Sequence, residues 1–354
     1  RLVSLAPAGL KRVFYSDAGA TAVEVALKMA LQFWQMSNRP RKTRFASLVG
    51  AYHGDTIGAV GVGYSDAFHR FYHPVLSECV RLTPPHIWQW RDRLSEAHAL
   101  DRAVTEARDT LTGERDTLAA LIIEPVMQGA AGMWPQPPGY TRALRDLTNA
   151  TDVLLICDEV ATGFGRTGTM FACEQDQITP DLLCLAKGIT GGYLPLAATL
   201  ATERVHDMFL GESHEGRTFF HGHTYTGNPL GCAAALANLD IFETDDTLRQ
   251  LAPKITYLER RLAEEITPLV HVADVRQRGV MIGIELADDV ATRRAYPARD
   301  RIGAKVTAEA RGRGVIIRPL GDVVVLMPPL SIHEDELDRL ITVVREAIVA
   351  VTER

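Results

Sequence analysis

Residues 153–188 read VLLICDEVATGFGRTGTMFACEQDQITPDLLCLAKG, and the reading of this stretch decides the fold. The run LLIC ends on Asp158, Glu159 and Val160. A second short apolar run, DLLCLA, delivers Lys187 into the glycine-rich turn AKGITGGYLP. Short unbroken apolar runs bounded by turn residues read as buried strands of a parallel sheet. Strands that end in a carboxylate and a lysine place both groups at the C-terminal edge of that sheet, where α/β proteins bind ligands. Taken singly, each residue has a plainer reading: Asp158 as a helix cap, Lys187 as a solvated turn residue.

Outward from this stretch, strands alternate with helices. Val13 to Tyr15 is a short strand, followed by SDAGATAVEVALKMALQFW, a glycine turn that opens a helix over Thr21 to Trp34. Such a turn presents free backbone N–H groups and the positive end of the helix dipole, a site for phosphate. Gly19 and Ala20 would supply the N–H groups there, and Thr21 a hydroxyl. Arg44 to Val49 is the next strand and ends at AYHGDT. Residues 68–74 and 84–90 read as irregular, Leu94 to Leu111 as an amphipathic helix and TGERDT as a loop. Leu118 to Glu124 is a buried strand closed by Pro125, and a helix from Pro137 to about Asn149 leads into the central stretch. After a strand at Ala197 to Ala201, the run FFHGHTYTGNPL makes a polar turn at Gly222, His223 and Thr224 before an alanine-rich helix.

From Asp245 the character changes. A charged helix runs to about Ile266, two strands flank Gly279, and a helix over Arg301 to Arg313 stops at Gly314. VIIRPLGDVVVLMPPL is a strand pair, and Glu334 to Val351 is the last helix. The chain of 354 residues is too long for one ordinary core. The expected organisation is an α/β large domain over 13–243 and a small α+β C-terminal domain over 244–354. Residues 1–12, which begin at Arg1 without a methionine, read as the remnant of an N-terminal segment.

Composition narrows the class. Net charge is -6 with no basic stripe, which points away from nucleic acid as a partner. No apolar run approaches membrane-spanning length and no signal-peptide pattern is present, so the expectation is a cytoplasmic protein with no membrane partner. The five cysteines are scattered, with no CxxC pair, and read as small buried hydrophobes in a reducing compartment, with no metal site.

A lysine amine and a carboxylate at one sheet edge are what pyridoxal phosphate chemistry needs. The amine bonds to the cofactor aldehyde, and the carboxylate keeps the pyridine nitrogen protonated. The combined wording DEVATGFGRTG and AKGITGGYLP resembles the fold-type I, class III aminotransferases over nearly the whole chain. The resemblance implies a large, mostly parallel sheet domain flanked by helices, pyridoxal 5'-phosphate as cofactor, and a homodimer with shared active sites. It implies that Lys187 and Asp158 are catalytic, and that Tyr52 stacks on one face of the ring with Val160 on the other. It places Gly19, Ala20 and Thr21 at the phosphate, with Thr224 reaching a phosphate bound mainly by the other subunit. Gly222, Tyr52 and Arg318 would meet the substrate, Arg318 through its carboxylate. Gln128 matches a glutamine that can approach the cofactor's phenolic oxygen, with a loop-capping amide as the alternative.

This chain departs from the family pattern at Ala18 and Ala20, where relatives carry hydroxyl residues, and at Gly321, where many carry a second arginine. YHGDT and HGHTYTGNPL are most similar to the biotin-biosynthetic branch of the family. That branch implies small-molecule substrates: 7-keto-8-aminopelargonate as acceptor and S-adenosylmethionine, or in some relatives lysine, as amino donor. Two other readings stay open: a different ω-aminotransferase acting on ornithine, a diamine or a β-amino acid, and a cofactor-binding protein without turnover.

Overall fold

The computed structural model describes residues 1–86 and 94–353. They form two compact units: Arg1–Gln128, Gln136–Phe164 and Thr169–Ile241 in the first, Gly129–Pro135, Gly165–Gly168 and Phe242–Arg354 in the second.

The first unit is built on a seven-stranded sheet. Its spatial order is Leu10–Ser16, Ala197–Thr202, Leu182–Leu185, Leu154–Asp158, Leu118–Ile123, Arg44–Leu48, Cys79–Leu82. All run parallel except Ala197–Thr202, which is antiparallel to both neighbours. Every residue of the three central strands Leu118–Ile123, Leu154–Asp158 and Leu182–Leu185 is buried. Both faces of these strands are covered, which is why they read as unbroken apolar runs and not as alternation. Helix Gly19–Met36 covers one face with Ala22, Val23, Ala26, Ala30, Phe33 and Trp34. Its small residues allow close approach: Cys184 and Thr199 side chains both donate to the Ala22 carbonyl, at 3.5 and 2.8 Å. The Trp34 indole donates to the Ala119 carbonyl at 2.7 Å, so the far end of the helix is tied down as well.

The second unit has a four-stranded antiparallel sheet in the order Val272–Arg278, Met281–Leu286, Val323–Leu326, Arg318–Leu320. Helices Thr247–Glu265, Ile302–Gly312 and Glu334–Thr352 cover it around a core that includes Leu258, Ile284, Val306, Val324 and Ile341.

The elements lie close to where the apolar pattern puts them, with shifts of a few residues at their ends: the first strand is Leu10–Ser16, and the helix expected from Pro137 starts at Tyr140. Two readings change. Thr112 and Gly113 of TGERDT belong to helix Glu96–Gly113. Residues 68–74 are ordered as a short helix, Asp66–His69, running into a tight turn, Arg70–Val75. A single helical turn is too short to show a period, and its stability comes from local bonds such as Ser65 N–H to His69 Nδ1 at 3.1 Å. Most of the stretch 84–90 lies outside the described residues. Among the described residues, no helix is long and apolar enough to cross a membrane.

Candidate active site

Parallel pairing sets the site. Asp158 lies opposite Cys184 in register, and Glu159 N–H donates to the Cys184 carbonyl at 2.9 Å just beyond the last pair. Asp158 and Lys187 therefore leave the sheet from adjacent strands at one edge. Asp158 is 3% exposed. Its Oδ2 lies 2.7 Å from His53 Nδ1, and its Oδ1 accepts the Val160 N–H at 3.0 Å. A buried carboxylate held by two donors has one fixed direction and keeps lone pairs free for a further donor.

Lys187 follows its strand after Ala186 and takes φ +42, a left-handed conformation that a side-chain-bearing residue enters at a cost. The strain is held in place from several sides. Gly188 packs so closely that a Cβ on it would come 2.7 Å from the Phe164 Cβ. Asn238 Nδ2 donates to the Gly188 and Ile189 carbonyls at 2.9 and 3.3 Å, and the Thr190 hydroxyl donates to the Leu194 carbonyl at 2.7 Å. Lys187 itself is exposed, and its amine makes no hydrogen bond or ion pair among the described residues. Enforced backbone strain around an uncommitted amine is a pattern of functional positions.

The helix start, the 52–54 turn and Val160 converge on the same edge. A Cβ on Gly19 would sit 2.6 Å from Val160 Cγ1, and one on Gly54, at φ +121, would sit 2.4 Å from the Ala20 Cβ. The two glycines let the Val160 and Ala20 side chains pack directly against the backbone there. The Thr21 hydroxyl is used within this cap: it accepts from Ala18 N–H at 3.0 Å and lies 3.0 Å from Asp17 Oδ1. Gly19 and Ala20, as the first helical residues, keep outward-facing N–H groups.

Tyr52 is half-buried, and its N–H donates to Glu124 Oε1 at 3.3 Å. Its hydroxyl donates to Asp55 Oδ2 at 2.8 Å. Helix Ile57–Val62 beyond this turn is capped by Glu24, whose Oε1 accepts from Thr56 Oγ1, Gly58 N–H and Ala59 N–H at 2.6, 2.8 and 3.2 Å. Gln128 is fully buried and donates to the Val49 carbonyl at 3.0 Å, which ties down the strand end that carries Tyr52. Glu159 caps a different turn, accepting from Ala172 and Cys173 N–H at 2.6 and 2.8 Å, and burial raises its pKa to about 7.

Thr224 and Gly222 lie on an exposed turn. His223 of that turn lies 3.4 Å from Asp17, two residues before the helix that starts at Gly19. Arg318 belongs to the second unit, where it is exposed and unpaired among the described residues. Gly321 lies three residues on, in the two-residue hairpin between Leu320 and Val323, at φ +60. Glycine is favoured at that corner, and an arginine there would be strained.

Two groups escaped the sequence reading. His53 reads only as part of the AYHGDT turn, and nothing singles out Glu24 in the helix sequence. The signal for Glu24 was a lone carboxylate within an otherwise apolar helix face. The signal for His53 was its position directly after Tyr52 at the strand end.

Comparison with known proteins places the chain in a family. The model of the class-III aminotransferase family matches residues 1–348. An adenosylmethionine-8-amino-7-oxononanoate aminotransferase of Nitratidesulfovibrio vulgaris is 55% identical, over 100% of this chain and 65% of its own length. One of the same name from Geobacter sulfurreducens is 49% identical over 99% of this chain and 78% of its own length. The chain thus spans about two thirds to three quarters of these curated relatives. The crystal structure of the Methanocaldococcus jannaschii protein of that name superposes with a TM-score of 0.92 at 42% identity, covering 99% of this chain and 78% of that one. An amine transaminase from an uncultivated Pseudomonas species, solved in its PLP-bound form, superposes at 0.92 with 37% identity, covering 97% and 78%.

The chain belongs to the class III aminotransferase family, and its fold is that of the PLP-dependent transaminases. Pyridoxal phosphate is the cofactor of that family, and the site fits it. Asp158 is a buried, oriented acceptor, Lys187 is an uncommitted amine, and the first N–H groups of helix Gly19–Met36 are the kind of donors a phosphate requires.

Proposed function

We propose that this class III aminotransferase moves an amino group from S-adenosylmethionine to 7-keto-8-aminopelargonate in biotin biosynthesis. The observation that carries the transamination is the pairing of Asp158, fixed by His53, with the free amine of Lys187 on adjacent parallel strands. Support for the substrate comes from the YHGDT wording and from the names of the relatives.

Pyridoxal phosphate, when bound, supplies an aldehyde for amines to condense with and a ring that takes up electrons from the donor carbon. Lys187 Nζ would take the proton from that carbon and hand it on, along the same face, to the carbon on the cofactor side of the new C–N bond. Asp158, fixed by His53 and the Val160 N–H, stabilises a positive pyridine nitrogen. Val160 and Tyr52 would hold the ring between them, and the first N–H groups of helix Gly19–Met36 would hold the phosphate. Arg318 takes the carboxylate of the acceptor. The protein works as a cytoplasmic homodimer, in which Gly222 and Thr224 serve the site of a second copy.

A second reading, an ω-aminotransferase of other amines, is favoured by Gly321, which leaves Arg318 without a neighbouring arginine. One experiment separates the two. The holoprotein is mixed separately with S-adenosylmethionine, lysine and ornithine, and the visible cofactor band is followed. Product is then sought with 7-keto-8-aminopelargonate. Bleaching by S-adenosylmethionine and formation of the diamine are expected. Bleaching by ornithine alone would overturn the biotin reading.

A further inference from the structure

The residue that completes the Tyr52 end of the site lies outside the stretches read as catalytic. His69 is 2% exposed, at the end of the short helix Asp66–His69. Its Nδ1 accepts the Ser65 N–H at 3.1 Å. An imidazole nitrogen that accepts carries no proton, so in the neutral ring the proton is on Nε2. Nε2 lies 3.4 Å from Asp55 Oδ1, while the other oxygen of that carboxylate accepts the Tyr52 hydroxyl. The rings of Tyr52 and His69 stack at 6.2 Å with an interplanar angle of 13°, and Phe68 closes the edge of the imidazole at 5.9 Å. Asp55 is itself 75% exposed, so on its own nothing fixes its rotamer.

We propose that His69 is a positioning residue for recognition of the substrate's spare amine, acting through Asp55 on Tyr52. The Ser65 N–H selects the tautomer, and the His69 Nε2–H draws Asp55 into place. Asp55 then takes the Tyr52 hydroxyl proton as a hydrogen bond, and the phenol oxygen is left as an acceptor. An ammonium has three donors and no acceptor, so it is matched by a phenol oxygen and a carboxylate held side by side. A ligand without that amine gains nothing from the arrangement. This inference rests on the proposed keto-amine acceptor and adds the residue that makes the amine-reading pair rigid.

The test uses full-length holoprotein with His69→Leu, His69→Gln, Asp55→Asn and the Leu/Asn double variant. Gln can place an N–H where Nε2 stood. Expected for His69→Leu is a rise of about tenfold in KM for 7-keto-8-aminopelargonate, the size of one lost charge-assisted hydrogen bond. Binding of the amine-free 7-ketopelargonate and the donor half-reaction should stay within about twofold of wild type. His69→Gln should recover most of the loss, and Leu should add nothing to Asp55→Asn. Equal weakening of both keto acids, or full additivity with Asp55→Asn, would mean a merely structural histidine and would overturn the proposal. An independent readout is the ring-nitrogen NMR spectrum of 15N-histidine-labelled wild-type protein, with His69 assigned by its through-space contacts to the Tyr52 and Phe68 rings. An Nε2–H tautomer is expected, and an Nδ1–H tautomer overturns the proposal even if the variants fail to fold. Wild-type protein that never aminates the keto-amine would break the functional reading instead, and the tautomer would still decide the His69–Asp55 link.

Discussion

Lys42 and Lys187 are chemically the same side chain in opposite settings. Lys42 is 1% exposed, and its amine donates to the carbonyls of Arg115, Leu118 and Asp152 at 2.5, 3.1 and 2.6 Å while lying 4.4 Å from the Trp34 ring centre. All three of its donors are used, and they join the starts of three strands. Lys187 is exposed, sits at a strained φ and makes no bond among the described residues. A saturated amine holds a fold together; an unsaturated one, pinned by its neighbours, is available for chemistry. Asp158 and Glu159 make a similar contrast one residue apart. Glu159 spends its carboxylate on two backbone N–H groups, and Asp158 keeps an acceptor direction open.

If the two lysines differ as described, their variants should be mirror images. Lys187→Ala should lower turnover by about 10⁴-fold or more, the upper end of what a positioned acid–base group contributes. Its thermal unfolding midpoint should stay near that of wild type. Lys42→Met should do the reverse. Three carbonyls, that of Leu118 buried and those of Arg115 and Asp152 partly buried, lose their donor, for a stability loss of about 3 kcal/mol in denaturant titration, with kcat per folded molecule unchanged. A Lys42→Met variant that is inactive yet stable would erase the distinction.

Smaller changes sharpen it on the carboxylate side. His53→Phe removes the donor to Asp158 Oδ2 and should cost about 2 kcal/mol of transition-state stabilisation, roughly thirtyfold in kcat/KM. Glu159→Gln should change stability in a pH-dependent way instead. Burial raises the Glu159 pKa from 4.5 to about 7 in the folded protein. Between those values the folded state holds a proton that the unfolded state has released, so this group's contribution is fully present below pH 4.5 and declines as pH rises to 7. The advantage of wild type over Glu159→Gln should therefore be greatest near pH 4.5 and shrink by at most about 3 kcal/mol by pH 7, measured by denaturant titration. A gap that widens with pH over that range would reverse the assignment.

What the sequence makes readable follows from the same physics. Asp158, Lys187 and Tyr52 each lie at or just beyond the end of an apolar run, where a one-dimensional pattern coincides with a sheet edge. The His53–Asp158 bond spans 105 residues and exists because only one strand, Leu118–Ile123, separates theirs in the sheet; strand order is not written in periodicity. Lys42, in PRKTRF, looks like part of a solvated basic run until the fold buries it. Gly321 is a departure whose reason is local: the hairpin corner needs a left-handed residue. The two short segments Gly129–Pro135 and Gly165–Gly168 join the second unit through contacts distant in the chain, so no composition change marks them.

The central claim is that Lys187, and no other lysine, bonds to the cofactor. Holoprotein reduced with borohydride, digested and analysed by mass spectrometry locates that bond directly. The account predicts the phosphopyridoxyl mass on the peptide containing Lys187. Stoichiometric label on Lys28, Lys42 or any other lysine, with Lys187 unmodified, would contradict it.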